Sequence, residues 1–290
     1  SANVVNDGYV IKDKDGNDKT ANFTKVTKVD GTLTVEKAPV TITTGSDKKK
    51  YDGTALTKDE AKIEGLVNNE TAEVKATGSQ TEVGTSDNTY SIDWGKTNKE
   101  NYTVTEQLGT LEVTANTAEV KLTAPSDKKT YDGKPLTADG TGEKKVTAEG
   151  LPEGFTVEAT ASGSQTDAGV SANVVNDGYV IKDKDGNDKT ANFTNVKRIE
   201  GKLEVTKRSV TLTSDDGKKS YDGEPLTKDK VTISGEGFVE GEGADYDVTG
   251  TQTLVGSSDN TFTYTLKKGT KESNYQIETK FGTLTVTSLT

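Results

Sequence analysis

A ten-residue phrase centred on Tyr-Asp-Gly occurs three times in the chain, and it constrains the fold more than any other feature. The copies read KKKYDGTALT at 48–57, KKTYDGKPLT at 128–137 and KKSYDGEPLT at 218–227. A catalytic motif normally occurs once per active site, whereas a structural phrase recurs in every copy of a folded unit. The repetition therefore predicts a tandem array of similar domains.

Two further landmarks follow each Tyr-Asp-Gly in the same order. The first begins GSQT or GTQT at positions 78, 163 and 250, and the second is Gly-x-Leu-x-Val at 109–113, 201–205 and 282–286. Aligning the landmarks predicts three repeat units, which we call repeat 1 (38–116), repeat 2 (117–207) and repeat 3 (208–290).

The first 37 residues align with only part of a repeat. Residues 1–24 are identical to residues 171–194, which lie in the second half of repeat 2. We therefore interpret 1–37 as the C-terminal half of a repeat, and we expect it to be poorly packed or engaged with a neighbour, because unpaired strand edges invite pairing. The identity indicates a recent duplication of a two-repeat block and suggests a fragment cut from a longer array.

Apolar and polar residues alternate with a period of two in short runs such as VTIT at 40–43 and VTLT at 210–213. This alternation is typical of strands with one buried face, and turn signals about every ten residues are typical of an all-β sandwich or barrel. The fold class predicted is an array of small β domains, Ig-like sandwiches first and β-grasp-like domains as the alternative. We expect one helical turn in LTKDEAKIEG at 56–65, after a threonine cap.

The composition excludes several classes of function. The net charge of −11 argues against nucleic acid as a partner, because a phosphate-binding domain needs a basic surface. The chain has no His and no Cys, so Ser-His-Asp and Cys-His catalysis and a His-ligated zinc site are excluded. No pair of carboxylates keeps its place in all units, and no apolar run is long enough for membrane insertion. We predict neither an enzyme nor a cofactor.

The recurring Tyr-Asp-Gly is interpreted as a structural turn rather than a reactive group. We expect the tyrosine ring to lie in the core with its hydroxyl near the rim, the aspartate to cap the turn, and the glycine to supply a positive φ. The residues concerned are Tyr51, Asp52, Gly53, Tyr131, Asp132, Gly133, Tyr221, Asp222 and Gly223.

A second acidic phrase, DKDGND at 13–18 and 183–188, raises the alternative of a calcium site. An EF-hand loop needs Glu at its twelfth position, where counting from Asp13 gives Thr24, and its glycine is also misplaced. Asp-Gly between alternating strands favours a hairpin turn instead. No metal site is therefore predicted.

Trp94 is the single tryptophan, and it occurs in repeat 1 alone. Glycan recognition usually uses exposed aromatic rings, so Trp94 is the position at which a ligand contact would be sought first. A ring that points inward would count against this role.

The chain resembles the MBG/YDG-type repeats of very large bacterial surface proteins and adhesins. The resemblance rests on Tyr-Asp-Gly, the SQT-x-x-G phrase, Asn-Tyr at 101–102 and 274–275, and Gly-x-Leu-x-Val. It implies secreted, mostly β modules at the cell surface, often spacers between an anchor and a distal binding region, with any anchor outside this chain. We expect neighbouring repeats to be the main partners; the alternative is a binding module for a host protein, an immunoglobulin or a glycan.

The linkers VEKAPV (35–40) and VTKRSV (205–210) contain no Gly/Ser tract and should restrict bending between repeats. No Lys, acid and Asn keep their places in all three repeats, so ordinary packing is favoured over an isopeptide crosslink.

Overall fold

The computed structural model describes residues 1–289, and its regular structure is almost entirely β. Within these residues there is no α-helix, and the four short helices are single 3₁₀ turns. The predicted fold class, an all-β chain of small tandem domains, is confirmed. The β-grasp-like alternative is not seen, because no helix crosses a sheet anywhere in residues 1–289. The chain folds as two compact units, Ser1–Thr114 and Ala115–Thr290, and the second unit contains repeats 2 and 3.

The elements of the first unit are short strands and two 3₁₀ turns. Residues 1–37 contain β1 (Ala2–Asn3), the turn Thr20–Asn22 and β2 (Gly31–Thr32). Repeat 1 contains β3 (Ala38–Thr44), β4 (Asp47–Lys50), β5 (Ala61–Glu64), β6 (Glu73–Ala76), β7 (Gly84–Asp87), β8 (Tyr90–Asp93), the turn Lys99–Asn101, β9 (Tyr102–Gln107) and β10 (Thr110–Thr114).

The second unit repeats the order of repeat 1 twice, with one additional short strand in repeat 2. Repeat 2 contains β11 (Val120–Thr123), β12 (Asp127–Thr130), β13 (Thr147–Glu149), β14 (Thr156–Glu158), β15 (Ala161–Ser162), β16 (Gly169–Val175), β17 (Val180–Lys182), the turn Thr190–Asn192, β18 (Val196–Ile199) and β19 (Gly201–Thr206). Repeat 3 contains β20 (Arg208–Ser214), β21 (Gly217–Ser220), β22 (Val231–Gly235), β23 (Ala244–Val248), β24 (Gly256–Asn260), β25 (Phe262–Leu266), the turn Glu272–Asn274, β26 (Tyr275–Lys280) and β27 (Gly282–Thr287).

Each repeat is closed by pairing its first strands with its last strands. In repeat 3 the order of one sheet is β22-β20-β26, the order of a second is β21-β27-β24, and β23 pairs with β25 in a third. The pairs β20–β26 and β21–β27 are parallel, and the outer pairs are antiparallel. Repeats 1 and 2 show the same two parallel pairs. A repeat can therefore form its sheets only when both halves of its sequence are present.

The core of each repeat is thin and follows the alternation in the sequence. In repeat 3, Val210 and Leu212 of β20 are buried, as are Leu284 and Val286 of β27, while the residues between them are more exposed. The glycine that opens Gly-x-Leu-x-Val allows the close approach of a neighbouring segment. A Cβ at Gly201 would lie 2.2 Å from the carbonyl oxygen of Pro125, a distance no side chain tolerates.

A buried asparagine ties the two sides of each Tyr-Asp-Gly segment together. In repeat 2, Asn173 Nδ2 donates to the carbonyl oxygens of Pro125 (2.9 Å) and Ala138 (2.7 Å), and Asn173 is fully buried. Asn88 and Asn260 make the equivalent pair of bonds in repeats 1 and 3. Buried carbonyls need such donors, because an unsatisfied polar group is costly. Sequence reasoning missed this residue, although it recurs ten residues after the glycine of each GSQT or GTQT phrase.

The identical segments 1–24 and 171–194 have very different environments. Phe23 is 55% exposed, whereas its counterpart Phe193 is 6% exposed. None of residues 1–37 is buried, and their only strand pair joins two residues of β1 to two of β2. Residues 171–194 are packed against the first half of their own repeat, and residues 1–37 have no counterpart of that half. The expectation of poor packing is met for this reason.

The helical turn expected in residues 56–65 does not form. Residues Ala61–Glu64 are instead strand β5, which pairs antiparallel with Thr41–Thr44 of β3. The segment contains good helix formers, but it forms a strand because the edge of β3 that faces away from β9 would otherwise be unpaired.

The identical segments provide a matched test of the buried asparagine. Asn173→Ala should destabilise the second unit by about 2–3 kcal/mol, because two buried carbonyls lose their donor. Asn3→Ala, in the same local sequence but exposed, should change stability by less than about 0.5 kcal/mol. Urea unfolding, with hydrogen exchange of peptides from 201–206 to assign the transition, measures both. Equal effects of the two changes would contradict the assigned role.

Candidate functional site at a repeat junction

The Tyr-Asp-Gly segment forms the same tight turn in all three repeats. The glycines Gly53, Gly133 and Gly223 have φ values of +81°, +78° and +81°, which favour glycine. In repeat 2, Asp132 Oδ1 accepts the backbone N–H of Lys134 at 2.9 Å and the ammonium of Lys129 at 2.8 Å.

The aspartates of the other two turns have equivalent partners. Asp52 accepts from Thr54 and Lys49, and Asp222 accepts from Glu224 and Lys219. The lysine ammonium and then the backbone N–H hold the pKa of Asp132 and of Asp222 below the usual aspartate value. The ionised aspartate therefore stabilises the turn.

In repeat 2 the tyrosine of this turn reaches beyond its own repeat. The Tyr131 hydroxyl of repeat 2 donates to Glu242 Oε2 of repeat 3 at 2.7 Å, and its ring packs edge-on against Tyr275 with a centroid distance of 5.6 Å. Tyr131 is 5% exposed. Tyr221, at the same position of repeat 3, is 39% exposed, so the expectation of a core position is wrong for Tyr221. No further repeat covers it within the described residues.

The surface of repeat 3 that receives Tyr131 is built from three groups, and we call it the tyrosine socket. The Tyr275 hydroxyl donates to Glu242 Oε1 at 3.0 Å and accepts the backbone N–H of Val239 at 3.1 Å. Glu242 thus holds one tyrosine hydroxyl on each carboxylate oxygen. Burial and the Glu242 carboxylate raise the pKa of Tyr275 to about 12, and the same two causes raise the pKa of Tyr131.

A second polar contact lies beside the socket. Lys271 Nζ of repeat 3 binds Asp167 Oδ2 of repeat 2 at 2.8 Å, and Asn274 Nδ2 donates to Asp167 Oδ1 at 3.1 Å. The Asn274 side-chain oxygen accepts the backbone N–H of Ala168 at 2.7 Å. The hydrogen bonds from Lys271 and Asn274 lower the pKa of Asp167. Because this pair is largely exposed, it orients the two repeats more than it stabilises them.

The two repeats also share one apolar core at this junction. The cluster comprises Tyr131, Leu136, Leu203 and Val205 of repeat 2 with Val210, Leu212, Phe262 and Tyr275 of repeat 3. Only Lys207 separates strands β19 and β20. At the connection between the two repeats, Arg208 donates hydrogen bonds to the carbonyl oxygens of Tyr131, Glu236 and Gly237. These contacts form a junction with no free linker.

Sequence reasoning predicted the turn but not the groups that receive its tyrosine. A signal was present in the aligned repeats. Where repeat 3 has Glu242 with Tyr275, repeat 1 has Glu70 with Tyr102, and repeat 2 has Phe155 with Phe193. Phe155 and Phe193 pack edge-on at 5.7 Å. The acid therefore accompanies the tyrosine hydroxyl and is replaced when the hydroxyl is absent.

Trp94 lies half-buried against its own repeat. Its ring stacks on Tyr102 with a centroid distance of 6.0 Å and an interplanar angle of 20°. This arrangement counts against a freely exposed aromatic platform for a glycan.

The acidic phrase at 13–18 is a turn that the aspartates themselves hold. Asp13 Oδ1 accepts the backbone N–H groups of Asp15 (2.9 Å) and Asn17 (3.0 Å), and Asp183 does the same in the second copy. Over residues 1–289 no group of three or more acidic side chains is arranged to hold a metal ion.

The surface concavities have mixed polar linings and lie at loops. One is lined by Asp127, Asp139, Gly140, Glu143 and Lys144, and in it Lys144 is paired with Asp127 at 2.9 Å. In the part of the chain that is described, no helix has the length and apolar character needed to cross a membrane.

No protein-family model matches the chain, and no curated protein does. Among solved structures, the chain is similar to mouse cadherin-23 EC22-24, with 10% identity and a TM-score of 0.29 over 87% of this chain and 100% of that chain. It is also similar to the I9-I11 tandem from titin, with 11% identity and a TM-score of 0.20 over 88% of this chain and 98% of that chain. Likenesses this distant carry no argument about function.

The two tyrosines 131 and 221 give a matched test of the junction. Tyr131→Ala should destabilise the second unit by about 3–5 kcal/mol, because it opens a cavity between the repeats and leaves Glu242 with one partner fewer. Tyr221→Ala removes a more exposed ring from the same turn and should cost less than about 1 kcal/mol. Thermal unfolding of both variants measures the difference, and similar costs would refute a role specific to the junction.

The raised tyrosine pKa values predict weakening of the junction at high pH. An unfolded tyrosine ionises near pH 10, so the stability that the neutral tyrosines supply is complete below pH 10. It is lost as the pH rises towards the folded pKa of about 12 for Tyr275. Urea unfolding of the parent and of a variant with Tyr131→Phe and Tyr275→Phe, at pH 8 and pH 11, measures this loss. The variant should lose less stability than the parent, whereas the control Tyr221→Phe should follow the parent.

Proposed function

We propose that this chain is a non-catalytic spacer of tandem β repeats, belonging to the stalk of a bacterial surface adhesin of the MBG/YDG type. The observation that carries the proposal is the junction between repeats 2 and 3, where a tyrosine of one repeat is fixed by the carboxylate of the next. A spacer must transmit position along the chain, and this requires junctions that do not act as hinges.

The junction meets this requirement in two ways. The one-residue connection through Lys207 leaves little freedom between β19 and β20. The polar pair of Asp167 and Lys271 lies to one side of the shared core and fixes rotation about the chain direction. A linker that allowed independent motion would be longer and rich in Gly and Ser.

The acidic side chains support a structural role. Many carboxylates are paired with lysines at the surface, for example Asp132 with Lys129 and Glu158 with Lys182. Catalysis by carboxylates needs two of them to converge in a cleft with different pKa values. The aspartates with shifted pKa values all have them lowered, which favours the ionised form. Most of them sit in turns or at the junction, and Asp127 opens strand β12 and pairs with Lys144.

The spacer role predicts a narrow range of distances between repeats 2 and 3. Spin labels attached at the exposed positions 156 and 265 should give one narrow distance distribution in pulsed electron paramagnetic resonance. Insertion of eight Gly and Ser residues after Lys207 should broaden the distribution at least twofold, because the shared core then loses its tether. A distribution in the parent chain as broad as in the insertion variant would overturn the proposal.

The adhesin assignment has a separate test. Antibodies raised against this chain should label intact cells of its source, and brief protease treatment of those cells should remove the label. Labelling that requires permeabilised cells would contradict the proposed location.

A further inference from the structure

Repeat 1 carries an unfilled copy of the tyrosine socket. The Tyr102 hydroxyl donates to Glu70 Oε1 and accepts the backbone N–H of Val67 at 3.3 Å. These are the contacts that Tyr275, Glu242 and Val239 make in repeat 3. Two sequences that differ at many positions thus build the same three-group arrangement.

The difference between the two sockets is the second carboxylate oxygen. In repeat 3, Glu242 Oε2 accepts the hydroxyl of Tyr131. In repeat 1, no hydrogen bond from residues 1–289 reaches Glu70 Oε2. An open cleft lies there, lined by Val35, Ala38, Glu70 and Tyr102 among others. The structurally equivalent position in repeat 3 is where the Tyr131 ring packs.

The surroundings of the cleft repeat the same contrast. Asn274, which accepts the backbone N–H of Ala168 and donates to Asp167 of repeat 2, is buried, whereas its counterpart Asn101 is exposed. Val205, in the segment that enters repeat 3, is 2% exposed, while its counterpart Val35 is 97% exposed. Residues that are buried at the junction between repeats 2 and 3 thus have exposed counterparts in repeat 1.

The segment that enters repeat 1 indicates what fits the socket. Residues 1–24 are identical to residues 171–194. The latter lie in the second half of repeat 2, the half that leads into repeat 3. The first half of repeat 2, residues 117–170, carries Tyr131. A segment like 117–170 would therefore pair with residues 1–37 and bring its Tyr-Asp-Gly turn to the cleft of repeat 1.

We propose that the cleft of repeat 1 is a docking site for the tyrosine of a Tyr-Asp-Gly turn, carried by a polypeptide segment like residues 117–170. The tyrosine hydroxyl donates to Glu70 Oε2, and its ring packs edge-on against Tyr102. The same segment completes the sheets of residues 1–37 and buries Val5, Phe23 and Leu33. The inference rests on the proposed spacer function, because it applies the same junction to a second place in the chain.

Trp94 provides a built-in reporter of docking. It is the single tryptophan, and its ring stacks on that of Tyr102, one of the groups that form the socket. A tyrosine that packs against Tyr102 changes the surroundings of this ring. The experiment fuses residues 117–170 ahead of Ser1, and the resulting Val170–Ser1 connection reproduces the natural Val170–Ser171 sequence.

In the fused chain, acrylamide quenching of Trp94 should fall at least twofold, and amides near Phe23 and Leu33 should gain at least tenfold protection from hydrogen exchange. The matched control fuses the same segment with its Tyr131→Ala change. In this control residues 1–37 should still gain protection, whereas Trp94 should be quenched as in the parent. Glu70→Gln in the fused chain should give an intermediate result, because it weakens the hydrogen bond and keeps the shape.

Three results would overturn the proposal. The first is an unchanged Trp94 in a fused chain whose residues 1–37 have gained protection. The second is residues 1–37 that gain no protection. The third is a quenching of the parent chain that falls as the protein concentration rises and is restored by Tyr221→Ala, because the occupant would then be a complete repeat of a second copy and not a segment like residues 117–170. The distance distribution between positions 156 and 265 tests the spacer function separately. If it is narrow, the spacer function stands even when the docking proposal is overturned.

Discussion

Every repeat depends on the pairing of its first two strands with its last two. The parallel pairs β20–β26 and β21–β27 join residues about 70 positions apart in sequence, so neither half of a repeat has a core of its own. Loop closure must be compensated by burial, and only 29% of the residues are hydrophobic. The thin apolar face is sufficient when both halves are present, and in repeat 2 it is extended by the core shared with repeat 3.

The duplicated segment shows this dependence within one molecule. The same 24 residues supply buried Ile181 and Phe193 in repeat 2 and the more exposed Ile11 and Phe23 near the start of the chain. Even the local turns are retained in both copies, since Asp13 and Asp183 accept the same backbone groups. Local turn chemistry is thus set by the sequence itself, whereas burial is set by the partner strands.

This distinction explains how much could be predicted from the sequence. The all-β fold class, the repeat landmarks and the Asp-Gly turn depend on short-range patterns, and the sequence predicts them. The buried Asn173 and the contact between Tyr131 and Glu242 depend on residues 35 to more than 100 positions away. The partner of Tyr131 could have been found only by comparing repeats, where Glu accompanies Tyr and Phe accompanies Phe. Strand β5 was missed because its pairing with β3 overrides the helix-forming residues of 56–65.

The parallel arrangement of terminal strands has a mechanical consequence. Strand β20 enters repeat 3 at one end and strand β27 leaves it at the other, each bonded along its length to a strand that runs the same way. Tension applied between the two ends therefore shears a whole row of backbone hydrogen bonds at once and does not peel them singly. A polypeptide built in this way resists pulling along its length with all the bonds of a ladder sharing the force.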